Sequence, residues 1–280
     1  MKNIVICHKD CFDGFTAYWV ALAKLGRTNT QYYFMNYNDN PWELPIEGND
    51  VLVFDFSFKR PIMEAFAIKA KNFKVFDHHK TALAECQGLD YCTFNMDKSG
   101  AMLAWDYFNP GQEPPDLVKY VQDYDLWTFK LDKSKEINAA IMSYEKTWEN
   151  WDMLASRVQY ASNLMIELGE VALRKEAIAD KIILEKANTM IIDGSRVPVV
   201  NTCLPGNSAM DTLRKDCPFA AAYYFKPNGA IKVSLRSTDS GRDVSEVAKK
   251  YGGGGHRNAA SFDCEIGQFM EFHSTVEPLK

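Results

Sequence analysis

The chain has 280 residues, 46% hydrophobic and 25% charged, with a net charge of −5. This is a globular composition, which excludes wholesale disorder, and its acidic balance excludes a broad basic face that tracks long duplex DNA. No run approaches the ~18 apolar residues of a membrane span, and the opening MKNIVICHKD is too short for a secretory signal.

In chain order, the first half alternates strand and helix signals. Residues 3–8 (NIVICH) read as a short buried strand, followed by a turn at DCFDG and a helix over 15–26. Residues 31–37 and 50–57 read as strands, then a helix over 61–70 opens on Pro61, a favoured first helical position. A strand over 72–79, a helix piece over 81–86, a strand over 91–95 and a helix over 99–108 complete this half. Such alternation predicts βαβ units, an α/β fold with a parallel sheet and helices on its faces. The middle reads as helical, over 114–127 and again from about 148 to 190. After Asp193-Gly194 strands return at 196–201, 219–226 and 230–237, the last two joined by Pro227-Asn228-Gly229, a hairpin signal. A helix over 243–252 precedes GGGGHRNAASF. The expected organisation is two lobes: residues 1–150 as an N-terminal parallel-sheet domain with a metal site, a helical connector over 151–192, and a smaller mixed α/β domain over 193–280.

The seven cysteines include no Cys-x-x-Cys pair, which speaks against a structural zinc site. An odd count in a chain this long is simplest as reduced thiols, so a cytoplasmic protein is expected.

Ligands of open α/β sheets bind beyond the carboxyl ends of the strands. Here the first strand ends at His8, followed by Asp10 and Asp13. The third ends at Asp55, and the fourth at Asp77-His78-His79; the helix over 114–127 adds Asp123 and Asp125. A lone Asp after a strand is often only a helix cap, and an adjacent His pair is more often structural. Three strands delivering acid and imidazole to one sheet edge is a stronger signal. Such a cluster repels itself unless cations neutralise it. Mixed carboxylate and imidazole donors suit Mn²⁺ or a similar divalent ion, and two ions ~3.5–4 Å apart serve phosphoester hydrolysis. In the C-terminal part, four glycines (252–255) and His256 let backbone approach a ligand closely and offer N–H groups to an anion. Arg236 and Ser237, at the end of Ser234-Leu235-Arg236-Ser237, are candidate phosphate donors.

Asp77-His78-His79 resembles the signature of the DHH phosphoesterases. His8, Asp13 and Gly14 resemble that family's first motif, Asp55-Phe56-Ser57 its second, and Asp123 or Asp125 its fourth. GGGGHRNAASF, with VSLRS and DVSEVAKKYG upstream, resembles the DHH-associated C-terminal domain. The resemblance covers nearly the whole chain in the right order. It implies a Mn²⁺-dependent enzyme with two ions, Mg²⁺ or Co²⁺ serving as substitutes. His8, Asp10, Asp13, Asp55, His78 and Asp123 are implied as metal ligands, with Asp55 bridging, Asp123 preferred and Asp125 second. Asp77, His78 and His79 form the catalytic motif, with Asp77 and His79 supporting the site. Arg236, Ser237, Gly253, Gly254, Gly255 and His256 are implied to grip substrate. The family usually has Asp where this chain has Cys11, so Asp10 or Cys11 takes that place. The family also often has Gly where this chain has Ser261.

The expected activity is hydrolysis of short nucleotidic substrates, linear dinucleotides such as pGpG or nano-RNA. Alternatives are a cyclic dinucleotide, 3′-phosphoadenosine 5′-phosphate or pyrophosphate as substrate, single-strand exonuclease action, or a nucleotide-binding sensor without turnover. The expected partners are a small nucleotidic substrate or very short RNA, with no duplex DNA track and no membrane; a homodimer is compatible with the sequence.

Overall fold

The computed structural model describes residues 2–9, 11–36, 39–79, 82–203, 208–273 and 277–278. The chain forms two compact units, Met1–Ala172 and Leu173–Lys280.

In the first unit, β1 (Asn3–His8), α1 (Phe12–Leu25), β2 (Thr30–Met35), β3 (Asp50–Phe54), α2 (Arg60–Lys69), β4 (Asn72–Asp77), α3 (Leu83–Cys86), β5 (Cys92–Phe94) and α4 (Gly100–Phe108) follow the expected alternation. The five strands make one fully parallel sheet in the order β2-β1-β3-β4-β5. Successive strand residues point to opposite faces, and β1 shows the consequence. Val5 and Cys7 enter one core with Phe54, Phe76 and residues of α1 and α4, whereas Ile4 and Ile6 enter another with Val51, Val53 and Val75. Burial on both faces explains why these strands read as continuous apolar runs rather than alternating ones. The first core continues into α5 (Asp116–Asp125), α6 (Ser134–Met142) and α7 (Trp148–Tyr160). There Trp151, fully buried, donates its indole N–H to Thr16 Oγ1 at 2.9 Å.

α8 (Ser162–Glu185) carries the chain into the second unit. This unit contains β6 (Asn188–Ile192), β7 (Ser195–Asn201), α9 (Ser208–Leu213), β8 (Ala220–Phe225), β9 (Ile231–Arg236), α10 (Val244–Lys250), β10 (Gly254–His256), β11 (Ala259–Cys264), α11 (Ile266–His273) and β12 (Glu277–Pro278). Its sheet runs β10-β11-β9-β8-β7-β6-β12, antiparallel except for the parallel β7–β8 pair. The fold is therefore mixed α/β, a parallel sheet followed by a mixed one.

Several boundaries differ from expectation. The strand expected over 50–57 stops at Phe54 because Asp55 takes a left-handed φ of 58°. The helical stretch expected to about 190 is two helices that meet at Ala161, and its end is β6. Among the described residues no helix is long and apolar enough to cross a membrane.

Candidate metal centre

The sheet register brings the strand ends level. Cys7 pairs with Phe54 and Phe54 with Phe76, so His8, Asp55 and Asp77 leave three adjacent strands at the same edge. Asp55 stays anchored there, its N–H donating to Phe76 O at 2.9 Å, while its backbone turns out of the extended region. Aspartate tolerates that left-handed conformation better than most residues. Two glycines let the neighbouring helices close on this edge. A Cβ at Gly14 would stand 2.4 Å from the His8 carbonyl oxygen, and one at Gly100 would stand 2.2 Å from Asp55 Cβ.

Asp55 is the hub. Its Oδ1 lies 3.0 Å from His78 Nε2 and 4.0 Å from His79 Nδ1; its Oδ2 lies 3.6 Å from His8 Nδ1 and accepts from Cys11 Sγ at 3.0 Å. His78 Nε2 also lies 3.9 Å from Asp13 Oδ2 and 3.4 Å from Asp125 Oδ2. Asp13 is held by the start of α4, whose Gly100 and Ala101 N–H groups donate to its two oxygens at 2.6 and 3.1 Å. A carboxylate at a helix N-terminus is favourably placed with respect to the helix dipole. Asp77 Oδ1 accepts from the backbone N–H groups of His78 and His79 and lies 2.8 Å from His79 Nδ1. Its Oδ2 is buried with no hydrogen-bond partner.

The electrostatics of this group are those of crowded acid. Burial, and then the negative charges of Asp55 and Asp125, push Asp13 well above the ordinary carboxylate range. Burial and the charge of Asp55 push Asp125 up to about 6, against the opposing pull of the three imidazoles. Burial would raise Asp55 too, but hydrogen bonds from His78, His8 and Cys11 and the charge of His79 hold it well below its usual value. Burial depresses His79, yet its bond to Asp77 and the charges of Asp55, Asp77 and Asp125 win and raise it to about 9. Each shift says that this pocket of negative charge calls for positive charge.

Two donor sets follow, His8–Asp55–His79 and Asp13–Asp55–His78, the ligand atoms within each lying within 4.8 Å of one another. They share Asp55. Carboxylate oxygens mixed with imidazole nitrogens fit a divalent ion of the Mn²⁺ type.

Of the residues read from the sequence, the structure gathers His8, Asp13, Asp55, His78 and His79, with Asp77 beneath His79. Asp123 is not among them. Its carboxylate accepts from Thr128 Oγ1 at 2.5 Å and from the Lys130 and Leu131 N–H groups at 2.8 and 3.1 Å, holding the loop after α5. Asp125, two residues on, reaches the cluster instead. Asp10 lies outside the described residues. Cys11 accepts from Gly14 N–H at 3.0 Å as the cap of α1 while donating to Asp55. Burial, then the charges of Asp55 and Asp13, raise its thiol far above the usual range, so it serves there as a neutral donor. The sequence reading missed Gly100, because nothing in the SGAMLAWDYF run signals a contact with a residue as distant in the chain as Asp55.

In the second unit, Arg236 closes β9 and donates to the Leu235 carbonyl at 3.0 Å. Ser237, expected as a phosphate donor, is fully buried and gives its hydroxyl to the Pro218 carbonyl at 3.1 Å. The glycine run is partly strand: Gly254 and Gly255 pair with Ser261 and Ala260. A Cβ at Gly253 would meet the Ser261 oxygen at 2.2 Å and one at Gly255 the Ala259 oxygen at 2.5 Å, so both are demanded by packing; Gly254 has open space. His256 ends this strand, and its side chain lies outside the described part.

Comparison with known proteins agrees with this architecture. Residues 207–279 match the DHHA1 domain. The fold is similar over 98% of this chain to the pGpG-specific phosphodiesterase of Vibrio cholerae (TM-score 0.59, 17% identity, 97% of that chain). It is also similar over 98% of this chain to the DHH domain of a member of the S1p family of ribosomal proteins (TM-score 0.62, 14% identity, 85% of that chain). RecJ of Thermus thermophilus, solved with Mn²⁺, matches over 98% of this chain and 51% of its own (TM-score 0.50, 17% identity). An uncharacterized protein, R106, of Acanthamoeba polyphaga mimivirus is 26% identical over an alignment of 292 residues, which covers 92% of this chain and 66% of that protein. Residues 207–279 of the second unit thus match a DHHA1 domain, and the chain, with Asp-His-His at a strand end of its first unit, shares the fold of these DHH-domain and phosphodiesterase structures.

Proposed function

We propose that this protein is a manganese-dependent phosphodiesterase that hydrolyses short nucleotidic substrates, linear dinucleotides such as pGpG or nano-RNA, to mononucleotides. The observation that carries the reading is the pair of donor sets sharing Asp55, one acid between two groups of side chains. His8, Asp55 and His79 would hold one ion and Asp13, Asp55 and His78 a second, with Asp125 3.4 Å from His78 Nε2 as a further carboxylate. Bound there, two divalent ions supply the charge that activates water and steadies the developing negative oxygens of a phosphoester. The chain's own residues prepare the site. Asp77 accepts from His79 Nδ1–H at 2.8 Å, which orients the ring. The α4 N–H groups fix both oxygens of Asp13. Cys11 caps α1 and steadies Asp55 without adding charge to a crowded site.

The second unit is assigned the grip on the nucleotide. Arg236 is drawn below its usual pKa by burial and then by the charge of Arg214, a state that an added phosphate would relieve. Gly254, with open space around it, is the glycine whose backbone a ligand could approach. Arg236→Ala should raise KM about 10–150-fold, the loss of one charge-assisted hydrogen bond, with kcat little changed. Similarity of fold to the Vibrio cholerae pGpG-specific phosphodiesterase over nearly the full length of both chains supports a dinucleotide as first choice.

The test is a turnover screen of Mn²⁺-loaded protein against pGpG, other linear dinucleotides, cyclic dinucleotides, 3′-phosphoadenosine 5′-phosphate and a length series of RNA. Highest kcat/KM on two-residue substrates is expected. Equal efficiency on twenty-mers would favour an exonuclease, and metal-loaded protein inert on every phosphoester would leave a sensor.

A further inference from the structure

The loop that follows α5 is built with unusual care for a surface segment. Trp127, Phe129 and Lys133 have left-handed φ values of 57°, 47° and 53°, conformations that bulky side chains avoid unless the surroundings enforce them. Asp123 pins the stretch that follows Trp127 and includes Phe129. Its buried carboxylate accepts from Thr128 and from the Lys130 and Leu131 backbone, and its carbonyl accepts from Thr128 and Phe129 N–H at 3.0 and 3.4 Å. Tyr120 adds a bond from its hydroxyl to the Asp132 carbonyl at 2.9 Å. The loop is thus pinned in one shape.

What it presents is aromatic. Tyr124, Trp127 and Phe129 touch one another, with ring centroids 4.8–5.8 Å apart and steep interplanar angles of 66–87°. Lys135 covers the Phe129 ring at 5.1 Å, while Trp127 remains 64% exposed. A large apolar ring held rigidly and left mostly in water contributes less to folding than a buried one. Its position supplies the reason. Trp127 follows Asp125 by two residues, so their Cα atoms are at most about 7 Å apart. Asp125 in turn reaches the metal cluster. Trp127 is therefore anchored within about 7 Å of a residue that reaches the metal cluster.

We propose that Trp127 is a stacking platform for a nucleobase of the substrate, and that Asp123 is the positioning residue that holds it. The proposal rests on the phosphodiesterase reading for which phosphate is cleaved, but the ligand chemistry is its own: an aromatic base, accepted with little regard to sequence because every base has a flat face. It also gives Asp123 a role that its absence from the metal cluster left unassigned.

The experiment compares wild type, Trp127→Ala, Trp127→Phe and Asp123→Asn. Kinetics use Mn²⁺-loaded protein with pGpG and with dinucleotide analogues made abasic at either residue. Loss of a stacked base should raise KM for pGpG about 5–150-fold in Trp127→Ala, with Trp127→Phe close to wild type. The penalty that wild type shows for one abasic position should vanish in Trp127→Ala. An equal rise in KM for intact and abasic substrates, or none at all, overturns the proposal. A binding measurement separates it from the activity reading. Titration with GMP should quench wild-type tryptophan fluorescence more than that of Trp127→Phe, and ribose 5-phosphate should quench neither. If no dinucleotide is hydrolysed but this quenching difference is present, the phosphodiesterase reading fails and the platform stands; if hydrolysis is present without it, the platform fails alone. Asp123→Asn should shift KM in the same direction as Trp127→Ala with kcat retained, and a kcat loss at constant KM would remove its positioning role.

Discussion

The two sheets treat charge in opposite ways. At the strand ends of the first unit, Asp13, Asp55 and Asp125 crowd together with, among the described residues, only imidazoles to answer them, and burial and mutual repulsion raise two of the three. In the second unit, Asp193 at the β6–β7 turn meets Arg242 at 2.5 Å and Lys250 at 2.8 Å, and Arg242 adds bonds to the Asp193 carbonyl and Ser195. One region satisfies its acid with its own cations. Among the described residues the other pairs its acids with imidazoles alone, the arrangement expected where further cations come from solution. The difference teaches that the number of acidic residues in a region says little about metal binding; what matters is whether fixed cations answer them.

The strongest way to break that comparison is to remove the hub. Asp55→Ala and His78→Ala should each lower turnover on a dinucleotide by several orders of magnitude, because losing an ion removes both water activation and charge stabilisation. The paired measurement is thermal. Mn²⁺ at about 100 times its Kd should stabilise wild type by about 2.7 kcal/mol, a melting shift of several degrees, and excess chelator should reverse it and stop turnover. Asp55→Ala should keep its fold by circular dichroism yet lose most of the shift. An unchanged Mn²⁺ shift in both variants would show that this cluster is not where the ions go.

Much of this site is legible in the amino-acid sequence, for physical reasons. A buried parallel strand writes itself as an apolar run, and its end is marked by the first polar residue, so NIVICH and KVFDHH put His8, Asp77 and His78 at one edge. The Asp193-Gly194 turn is less legible: it has positive φ at both positions, as a type I′ hairpin requires, but the residues before it read as helix to about 190 instead of as β6. The choice between Asp123 and Asp125 is not legible. On a helix the two lie on different faces, and which face meets the sheet depends on how α5 packs, a tertiary fact absent from DYDLW. Gly100 and the role of Cys11 are hidden for the same reason, since each acts on Asp55, a residue remote from it in the chain.

Those two aspartates sharpen the comparison at smaller scale. Asp125→Asn removes a carboxylate from the cluster and should weaken the Mn²⁺-induced melting shift and turnover together, about 10–100-fold in metal affinity, the scale of outer ligand changes. Asp123→Asn should leave the Mn²⁺ shift intact and lower stability by about 1–3 kcal/mol, since it disturbs a buried acceptor of three hydrogen bonds. Urea unfolding with and without Mn²⁺ reads both. If the two variants exchanged these phenotypes, Asp123 and not Asp125 would be the ligand.

The smallest expected effect lies in the self-neutralised region. The hydrogen bond from Lys250, opposed by partial burial and aided by Arg242, lowers the pKa of Asp193 in the folded protein. A carboxyl whose folded pKa lies below its unfolded value of about 3.9 stabilises the fold above that value, and the contribution is lost as pH falls through the folded pKa. Lys250 is 58% exposed, so solvent screens much of the attraction, and the contribution is about 1 kcal/mol or less. Asp193→Asn should therefore cost about that much at neutral pH in low salt, and the gap between variant and wild type should close as pH drops from about 5 toward about 3. Salt should close it as well, because the pair lies near the surface. Asparagine also accepts the left-handed φ of 48° at this position, so the substitution changes charge with little backbone cost. A gap that persisted unchanged at acid pH would mean that Asp193 works through the turn and not through its charge, and the contrast between the two regions would then rest on the metal cluster alone.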